Sequence, residues 1–239
     1  MNPSIFIVMP AYNEEVNIVS TVEMWHPVVE KIGPNAKLVI VDDGSKDLTF
    51  SKLTQLREKF GQLIPITKQN SGHGSTCLFA YDFALKEGAD FIFQTDSDGQ
   101  TNPEEFWAFW NAKNEFDFII GNRTSREDGF SRIVVTKTLR LVVGLIFGVW
   151  VQDLNTPFRL MKVEKLKPIL KLVPKDFFLS NVIISLLIVK RKEKAKWIPI
   201  TFKNRQGGVN SINLKKIVKI GIKSIKDFKS IQKDLRNQN

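Results

Sequence analysis

The sequence FIFQTDSDGQ, residues 91–100, joins a short run of mainly apolar and aromatic residues to two carboxylates one residue apart. Such a run predicts a buried strand, and in open α/β sheets ligands bind beyond the carboxyl ends of the strands. Side chains at positions i and i+2 of an extended segment face the same way, so Asp96, Asp98 and Gln100 can present oxygens to one Mg²⁺ or Mn²⁺ ion. The stretch therefore predicts a site where a divalent metal holds a diphosphate, although by itself it is equally typical of a polar turn after a strand.

Three further strand-like runs precede this stretch, and each leads into a polar loop. The runs are residues 4–9, 37–41 and 63–67, and the loops are residues 10–15, 42–47 and 68–74. The segments between them have helical periodicity, as in residues 14–32, where apolar side chains fall largely on one stripe. Alternating strands and helices predict an α/β fold, with a mostly parallel central sheet flanked by helices and with its loops converging at one rim.

The ordered set of loops resembles the glycosyltransferases of family 2, which have the GT-A, Rossmann-like fold that binds nucleotide sugars. The residues that carry this resemblance are PAYNE at 10–14, DDGS at 42–45 and DSD at 96–98. A narrower resemblance, to the dolichyl-phosphate mannose synthases and other polyprenyl-phosphate glycosyltransferases, rests on DSDGQTNPE at 96–104, GNR at 121–123, DLNTPFR at 153–159 and RQGG at 205–208. It implies a glycosyltransferase domain over residues 1–210, with Arg123, Arg159 and Arg205 near the donor diphosphate and the acceptor phosphate.

The same resemblance implies a donor site built from three of these loops. The backbone and side chains around Pro10 would line the nucleotide base, while Asp42 would accept hydrogen bonds from base or ribose; Tyr12 is otherwise a packing residue. The residues assigned to the nucleotide sugar are Pro10, Ala11, Tyr12, Glu14, Asp42, Asp43, Asp96 and Ser97, and those assigned to the metal are Asp96, Asp98 and Gln100. His73, in a glycine loop beside this pocket, is left open between a structural and a functional role.

Catalysis is assigned to Asp98, Arg123, Asp153 and Arg205. Departure of the nucleoside diphosphate builds negative charge on the leaving oxygen, which a divalent cation together with Arg205 would stabilise. A hydroxyl acceptor needs a carboxylate base, for which Asp153 is the candidate. A phosphate acceptor is already anionic and needs none, so Asp153 would then bind metal, orient a loop or cap a helix. Many family members that use hydroxyl acceptors carry a Glu-Asp pair where this chain has only Asp176, which favours a phosphate acceptor.

Positive charge is concentrated at the C-terminus. Residues 190–239 hold fifteen Lys and Arg against three Asp and Glu, whereas the net charge of the whole chain is +10. Apolar residues recur at helical spacing in residues 211–239, which predicts a basic amphipathic helix that lies on an anionic membrane surface or packs on its own domain. The apolar stretches 141–151 and 177–189 are shorter than the roughly 20 residues that span a bilayer. They are core helices, or surface that meets a lipid acceptor.

Cysteine usage and the start of the chain bear on location. The single cysteine, Cys77, excludes an internal disulfide and fits a reducing compartment, and the N-terminus enters a strand with no signal peptide before it. We therefore expect a cytoplasmic protein that is peripheral at the inner face of the membrane.

Together these observations predict a metal-dependent, inverting glycosyltransferase that moves a sugar from a nucleotide sugar to polyprenyl (dolichyl or undecaprenyl) phosphate; inversion is implied by the family resemblance alone. The alternative within the class is a glycan hydroxyl acceptor in cell-surface polysaccharide synthesis. Alternatives of another class are a sugar nucleotidyltransferase, whose first loop should carry glycines and basic groups rather than NEE at 13–15, and a non-catalytic nucleotide-sugar-binding membrane protein. A nucleic-acid partner would explain the basic C-terminus but not the carboxylate-lined rim, so none is expected.

Overall fold

A computed structural model of the chain describes residues 3–123, 140–141, 143–203, 228 and 232. Its strands are β1 (Ile5–Ala11), β2 (Ala36–Asp42), β3 (Leu63–Thr67), β4 (Phe91–Gln94), β5 (Phe118–Arg123), β6 (Arg159–Lys162) and β7 (Ala195–Ile200). Its helices are α1 (Ile18–Ile32), α2 (Thr49–Lys59), α3 (His73–Lys86), α4 (Phe106–Asn111), α5 (Val163–Leu170) and α6 (Ser180–Lys190), with a 3₁₀ turn over Pro103–Glu105 before α4. The predicted α/β fold is confirmed.

The seven strands form one sheet in the order β3-β2-β1-β4-β6-β5-β7. Strands β1 to β4 are parallel, β6 is antiparallel to both of its neighbours, and β7 is parallel to β5. Arg159 at the start of β6 pairs with Gln94 at the end of β4 and with Ile120 near the end of β5. The carboxyl ends of six strands and the amino end of β6 therefore meet at one rim, as the sequence predicts.

The central strands are buried on both faces because helices cover both sides of the sheet. In β1, Phe6 and Val8 point into one core together with α3 and α6, whereas Ile5, Ile7 and Met9 point into the other core together with α1. A strand that buries both faces needs apolar residues at every position, which explains why these strands read as continuous apolar runs rather than as alternating ones.

An aromatic cluster anchors β4 just before its acidic loop. The Phe93 ring centroid lies 4.9 Å from that of Phe106, 4.7 Å from Phe158, 5.7 Å from Trp25 and 6.0 Å from Phe109. The edge-to-face contacts add to the burial of these large rings. The loop that begins at Thr95 thus starts from a rigid base.

The structure shows where the two apolar stretches lie that the sequence left open between core helices and lipid-binding surface. Residues 177–189 contribute α6, a core helix whose side chains are buried from Ser180 to Ile188. In the stretch 141–151, Val143 and Phe147 are buried while Leu145 and Trp150 are exposed. Within the described part of the chain, no helix is both long enough and apolar enough to cross a bilayer.

The predicted basic helix of residues 211–239 lies outside the described residues except for two positions. Phe228 is fully buried, with its ring centroid 5.8 Å from that of Phe147 and 5.6 Å from that of Phe177. Gln232 donates a hydrogen bond to the backbone oxygen of Ile146. These two side chains therefore contact the α/β domain, whereas the membrane-bound helix stays a prediction.

Close packing of α3 gives a stability prediction at Gly74. A Cβ at this position would lie 2.2 Å from the backbone oxygen of Phe178 and 2.3 Å from that of Phe177. Because backbone cannot move aside cheaply, Gly74→Ala should lower the free energy of unfolding, measured by urea denaturation, by about 1–3 kcal/mol.

The control is Gly61→Ala, since no heavy atom of the described residues lies within 4 Å of a Cβ added there. It should change the same free energy by no more than about 0.5 kcal/mol. Wild-type stability in Gly74→Ala would contradict the close approach of α3 to the 177–178 segment.

Candidate active site

The strand order predicts a crevice at the rim between β1 and β4. The chain runs outward from β1 to β2 and β3, and then returns to place β4 on the other side of β1. Loops after neighbouring strands that lead away in opposite directions leave a gap between them, and ligands bind in such gaps. The loops that flank this gap are residues 12–17 and residues 95–102.

The acidic loop after β4 is fixed to its surroundings by Ser97. This residue is buried, and its hydroxyl donates to the backbone oxygen of Pro10 at 2.8 Å. Its own backbone oxygen accepts from the Thr21 hydroxyl on α1 at 3.0 Å. These bonds give Ser97 the role of holding the loop against β1 and α1, and its assignment to the nucleotide sugar stays a prediction.

The two flanking carboxylates are oriented differently from Ser97. Asp96 and Asp98 are both partly exposed, whereas Ser97 between them is buried. This alternation agrees with the i, i+2 argument, and the assignment of the pair to a metal stays a prediction. Carboxylate oxygens that share one face suit a hard divalent cation.

Gln100 departs from that pattern. Gly99 has a φ of +74°, which turns the chain, and the Gln100 side chain is buried instead of sharing the exposed face. Its amide nitrogen donates to the backbone oxygen of Lys203 at 2.8 Å, and its backbone oxygen accepts from the Lys203 N–H at 2.9 Å. Gln100 thus ties the acidic loop to the segment after β7, and only its amide oxygen is suited to the predicted role of metal ligand.

His73, the first residue of α3, reaches the same crevice. Its Nε2 lies 3.1 Å from Oδ1 of Asp96. Burial would lower the pKa of His73, but the neighbouring Cys77 and Asp96 raise that pKa well above the ordinary value of 6.5. The sequence placed His73 beside the pocket but could not connect it with Asp96, because the two lie on different loops.

Asp42 and Asp43, which the sequence assigns to the nucleotide sugar, are both buried and hold neighbouring loops. Asp42 accepts from the Thr67 hydroxyl at 2.8 Å and from the Ser45 N–H at 3.2 Å. Asp43 accepts from the Lys68 ammonium at 2.5 Å and from the N–H groups of residues 71 and 72 at 2.9 and 2.8 Å. Burial alone would raise the pKa of Asp43, but these donors outweigh it and lower the pKa below 3.8.

The loop after β1 presents the remaining predicted donor residues. Pro10 and Ala11 are the last residues of β1 and are buried. The Glu14 carboxylate is buried and accepts from the Asn17 amide at 2.8 Å, while Tyr12 is half-buried at the mouth of the crevice. Contact of these residues with a base stays a prediction, for which Tyr12 is the best-exposed candidate.

On the far side of β6, Arg123 and Asp153 form a buried bidentate pair. Arg123 Nε lies 2.7 Å from Oδ2 of Asp153, and its Nη2 lies 2.8 Å from Oδ1. The Arg123 guanidinium also lies 5.2 Å from the ring centroid of Phe202. Asp153 therefore orients Arg123, a role that differs from those that the sequence left open, and its assignment as a base stays a prediction.

The other two arginines give a correction and an open prediction. Arg159, which was expected near the phosphates, is fully buried. Its guanidinium donates to the backbone oxygens of Thr156 and Asn181 at 3.1 and 3.2 Å, and burial lowers its pKa. The expectation was wrong because β6 runs into the sheet between two strands, which the sequence does not reveal. Arg205 lies outside the described residues and stays a prediction.

Comparison with solved structures identifies the fold. The chain superposes on glucosyl-3-phosphoglycerate synthase from Mycobacterium tuberculosis, solved with Mn²⁺, uridine diphosphate and phosphoglyceric acid, with a TM-score of 0.67 and 17% identity. The match covers 96% of this chain and 78% of that one. The fold is thus the GT-A type of glycosyltransferases.

Sequence comparison identifies the family. Residues 6–174 match the profile described as Glycosyl transferase family 2, and the chain belongs to this family. It is 26% identical over 216 residues to polyprenol monophosphomannose synthase of Mycolicibacterium smegmatis, which covers 87% of this chain and 80% of the relative. It is 27% identical over 141 residues to undecaprenyl-phosphate 4-deoxy-4-formamido-L-arabinose transferase of Pectobacterium atrosepticum, which covers 59% of this chain and 43% of that longer one. The protein is therefore a glycosyltransferase, and not the nucleotidyltransferase kept as an alternative.

The lowered pKa of Asp43 predicts how stability depends on pH. A carboxyl whose pKa is lower in the folded state stabilises the fold above its unfolded pKa, near 3.8, and this contribution is lost as the pH falls through the folded pKa. Asp43→Asn should therefore lower the free energy of unfolding at pH 7 by about 2 kcal/mol and weaken its decline below pH 4, as measured by urea denaturation across pH.

A second variant separates the charge from the geometry. Lys68→Met removes the cationic partner of Asp43, so the pKa of Asp43 should rise toward its unfolded value, and the decline of stability below pH 4 should be smaller than in the wild type. If both variants kept the wild-type pH profile, the role given to this ion pair would be wrong.

Stability also tests the pairing of Asp153 with Arg123. Asp153→Asn leaves a buried guanidinium without its counter-charge and should lower the free energy of unfolding by about 3 kcal/mol. Asp82→Asn, in an exposed pair with Lys86, should cost at most about 0.5 kcal/mol in the same urea titration. A cost for Asp153→Asn as small as that of the control would contradict a stabilising role for this ion pair.

Proposed function

We propose that this protein transfers a sugar from a nucleotide sugar to polyprenyl phosphate, with a divalent metal and with inversion at the anomeric carbon. The observation that carries the proposal is the bidentate pairing of Asp153 with Arg123. A carboxylate held by two charge-assisted hydrogen bonds is a weak base, so the chemistry favours an acceptor that is already anionic.

The donor side suits a metal and a diphosphate. Among the described residues, no group of three or more His, Cys, Asp and Glu side chains converges closely enough to hold a metal. Asp96 and Asp98 would supply two oxygen ligands, and a diphosphate and water would supply the others. The bound cation would neutralise charge on the departing nucleoside diphosphate. Mn²⁺ and uridine diphosphate in the structural neighbour support this arrangement.

The acceptor side suits a phosphate. Arg123 uses two of its five N–H donors on Asp153, and the rest of this fixed, planar fork can bind phosphate oxygens. The names of the two relatives, which specify a polyprenol and an undecaprenyl phosphate, support the same class of acceptor. Arg205 would contribute a second cation if it lies at this rim.

The order of the strands supports inversion. β4 carries the acidic loop and β5 carries Arg123, and β6 lies between them. Two strand spacings separate the two groups by about 10 Å along the rim. A sugar bound between them would face the leaving diphosphate on one side and the acceptor phosphate on the other, which is the geometry of a direct displacement.

For location, we propose that the protein is peripheral at the inner face of a membrane. Leu145 and Trp150 are exposed by 77% and 64%, and the Arg140 guanidinium lies 4.0 Å from the Trp150 ring centroid. Aromatic and cationic side chains beside exposed apolar ones are typical of surfaces that bind lipid headgroups. The basic residues 211–239 would add attraction to anionic lipid.

The test is transfer of labelled sugar from a panel of UDP- and GDP-sugars to polyprenyl phosphate in vesicles, with Mg²⁺, Mn²⁺ or EDTA. We expect a labelled lipid only when metal is present, a product anomer opposite to that of the donor, and faster transfer on anionic than on neutral vesicles. Asp98→Ala should reduce transfer at least about 100-fold by removing a metal ligand. Glu104→Gln, at an exposed carboxylate six residues away, is the control and should leave transfer unchanged.

Other outcomes would correct separate parts of the proposal. Transfer to a glycan hydroxyl but not to the lipid would reassign the acceptor. Full activity of Asp98→Ala, or in EDTA, would overturn the metal assignment. Binding of the donor without any transfer to either acceptor would favour the non-catalytic alternative.

A further inference from the structure

We propose that His73 is a positioning residue that holds one oxygen of Asp96, so that the other oxygen faces the metal and the donor. The inference rests on the proposed function, because the orientation of Asp96 matters to transfer only if the donor and its metal bind at this carboxylate. The contact of Nε2 with Oδ1 at 3.1 Å is its starting point. An ionised carboxylate can only accept, so the hydrogen of this bond lies on Nε2.

The imidazole ring packs against a chain of buried polar side chains. Sγ of Cys77 lies 3.8 Å from Nδ1 and 4.0 Å from Nε2 of His73, and it accepts a hydrogen bond from the Gln94 amide at 3.4 Å. The Gln94 carbonyl oxygen accepts from the Tyr81 hydroxyl. Cys77, Gln94 and Tyr81 are all fully buried. Rotation of the ring would break its contacts with both Cys77 and Asp96, so the chain fixes the direction of Nε2.

The backbone of His73 is fixed from two directions as well. Asp43 accepts from the N–H groups of Ser71 and Gly72, immediately before His73. On the other side, Gly74 packs against the backbone of the 177–178 segment. His73 therefore begins α3 directly after a segment that is hydrogen-bonded to Asp43 in the loop after β2. Precise positioning of a ligand carboxylate requires such a support.

The chemical consequence concerns how Asp96 binds a metal. An unsupported carboxylate can rotate and change between one-oxygen and two-oxygen coordination. A hydrogen bond to Oδ1 leaves Oδ2 as the stronger ligand and sets the plane of the carboxylate. Groups that orient a metal ligand in this way typically change metal affinity or activity by about 10- to 100-fold when they are removed.

The experiment measures binding rather than turnover, by titrating Mn²⁺ with UDP, or with GDP if the wild type prefers it, in a calorimeter. His73→Ala should bind this pair about 10- to 100-fold more weakly than the wild type. His73→Gln, whose amide N–H can take the place of Nε2–H, should recover most of the affinity. Asp82→Asn, an exposed change on the same helix, is the control and should bind like the wild type.

A double-mutant cycle separates positioning from direct contact with the ligand. If His73 acts through Asp96, then His73→Ala should cause no further loss in an Asp96→Asn background. An equal loss in both backgrounds would mean that His73 touches the nucleotide or the metal itself, and the inference would be wrong. Wild-type affinity in His73→Ala would also overturn it.

The buried chain gives an independent test. Cys77→Ala removes the side chain against which the His73 ring packs but leaves the bond between His73 and Asp96 available, so it should weaken binding less than His73→Ala does. Unchanged binding in Cys77→Ala would contradict the claim that the buried chain fixes the direction of Nε2. If the wild type binds neither UDP nor GDP with Mn²⁺, the proposed function fails and this inference fails with it. If the wild type binds and His73→Ala binds equally well, only the inference is rejected.

Discussion

The parallel pairing of β1 with both β2 and β4 is the constraint on which the rest of the site depends. It brings the ends of three strands to one rim. Strands are added on one side of β1 as far as β3 and then on its other side from β4, and this change predicts a crevice between the first loop and the acidic loop. The Ser97 hydroxyl donates to the backbone oxygen of Pro10 and so fixes the acidic loop to the end of β1. Asp96 and Asp98 face the crevice because Ser97, between them, faces the interior.

Acidic side chains at the rim divide into two groups by their surroundings. Asp42, Asp43 and Asp153 are buried, and each accepts hydrogen bonds from N–H groups, a hydroxyl or a cation. Asp96 and Asp98 are more exposed. The first group fixes the loops, whereas Asp96 contacts His73 and Asp98 accepts from the Gln100 N–H, and both stay partly exposed at the rim. A family signature rich in aspartate therefore combines residues that build the loops with residues that we propose to bind the metal.

The sequence predicts the parallel half of the sheet and its rim well, because continuous apolar runs and acidic loops are local signals. It fails where geometry is not local. The turn at Gly99 buries Gln100, the antiparallel β6 buries Arg159, and the pairing of Arg123 with Asp153 joins residues 30 positions apart. Likewise, no sequence pattern links His73 to Asp96, since the contact exists only after α3 and β4 have packed.

The direction of β6 has a further consequence for how such an enzyme diversifies. β5 ends at the rim and β6 begins there, so residues 124–158 leave and re-enter the sheet at the same edge. An insertion in this connection changes the chain beside Arg123 without changing the register of any strand. If the acceptor binds at Arg123, as we propose, new acceptors can evolve through this one segment while β1 to β4 are inherited unchanged.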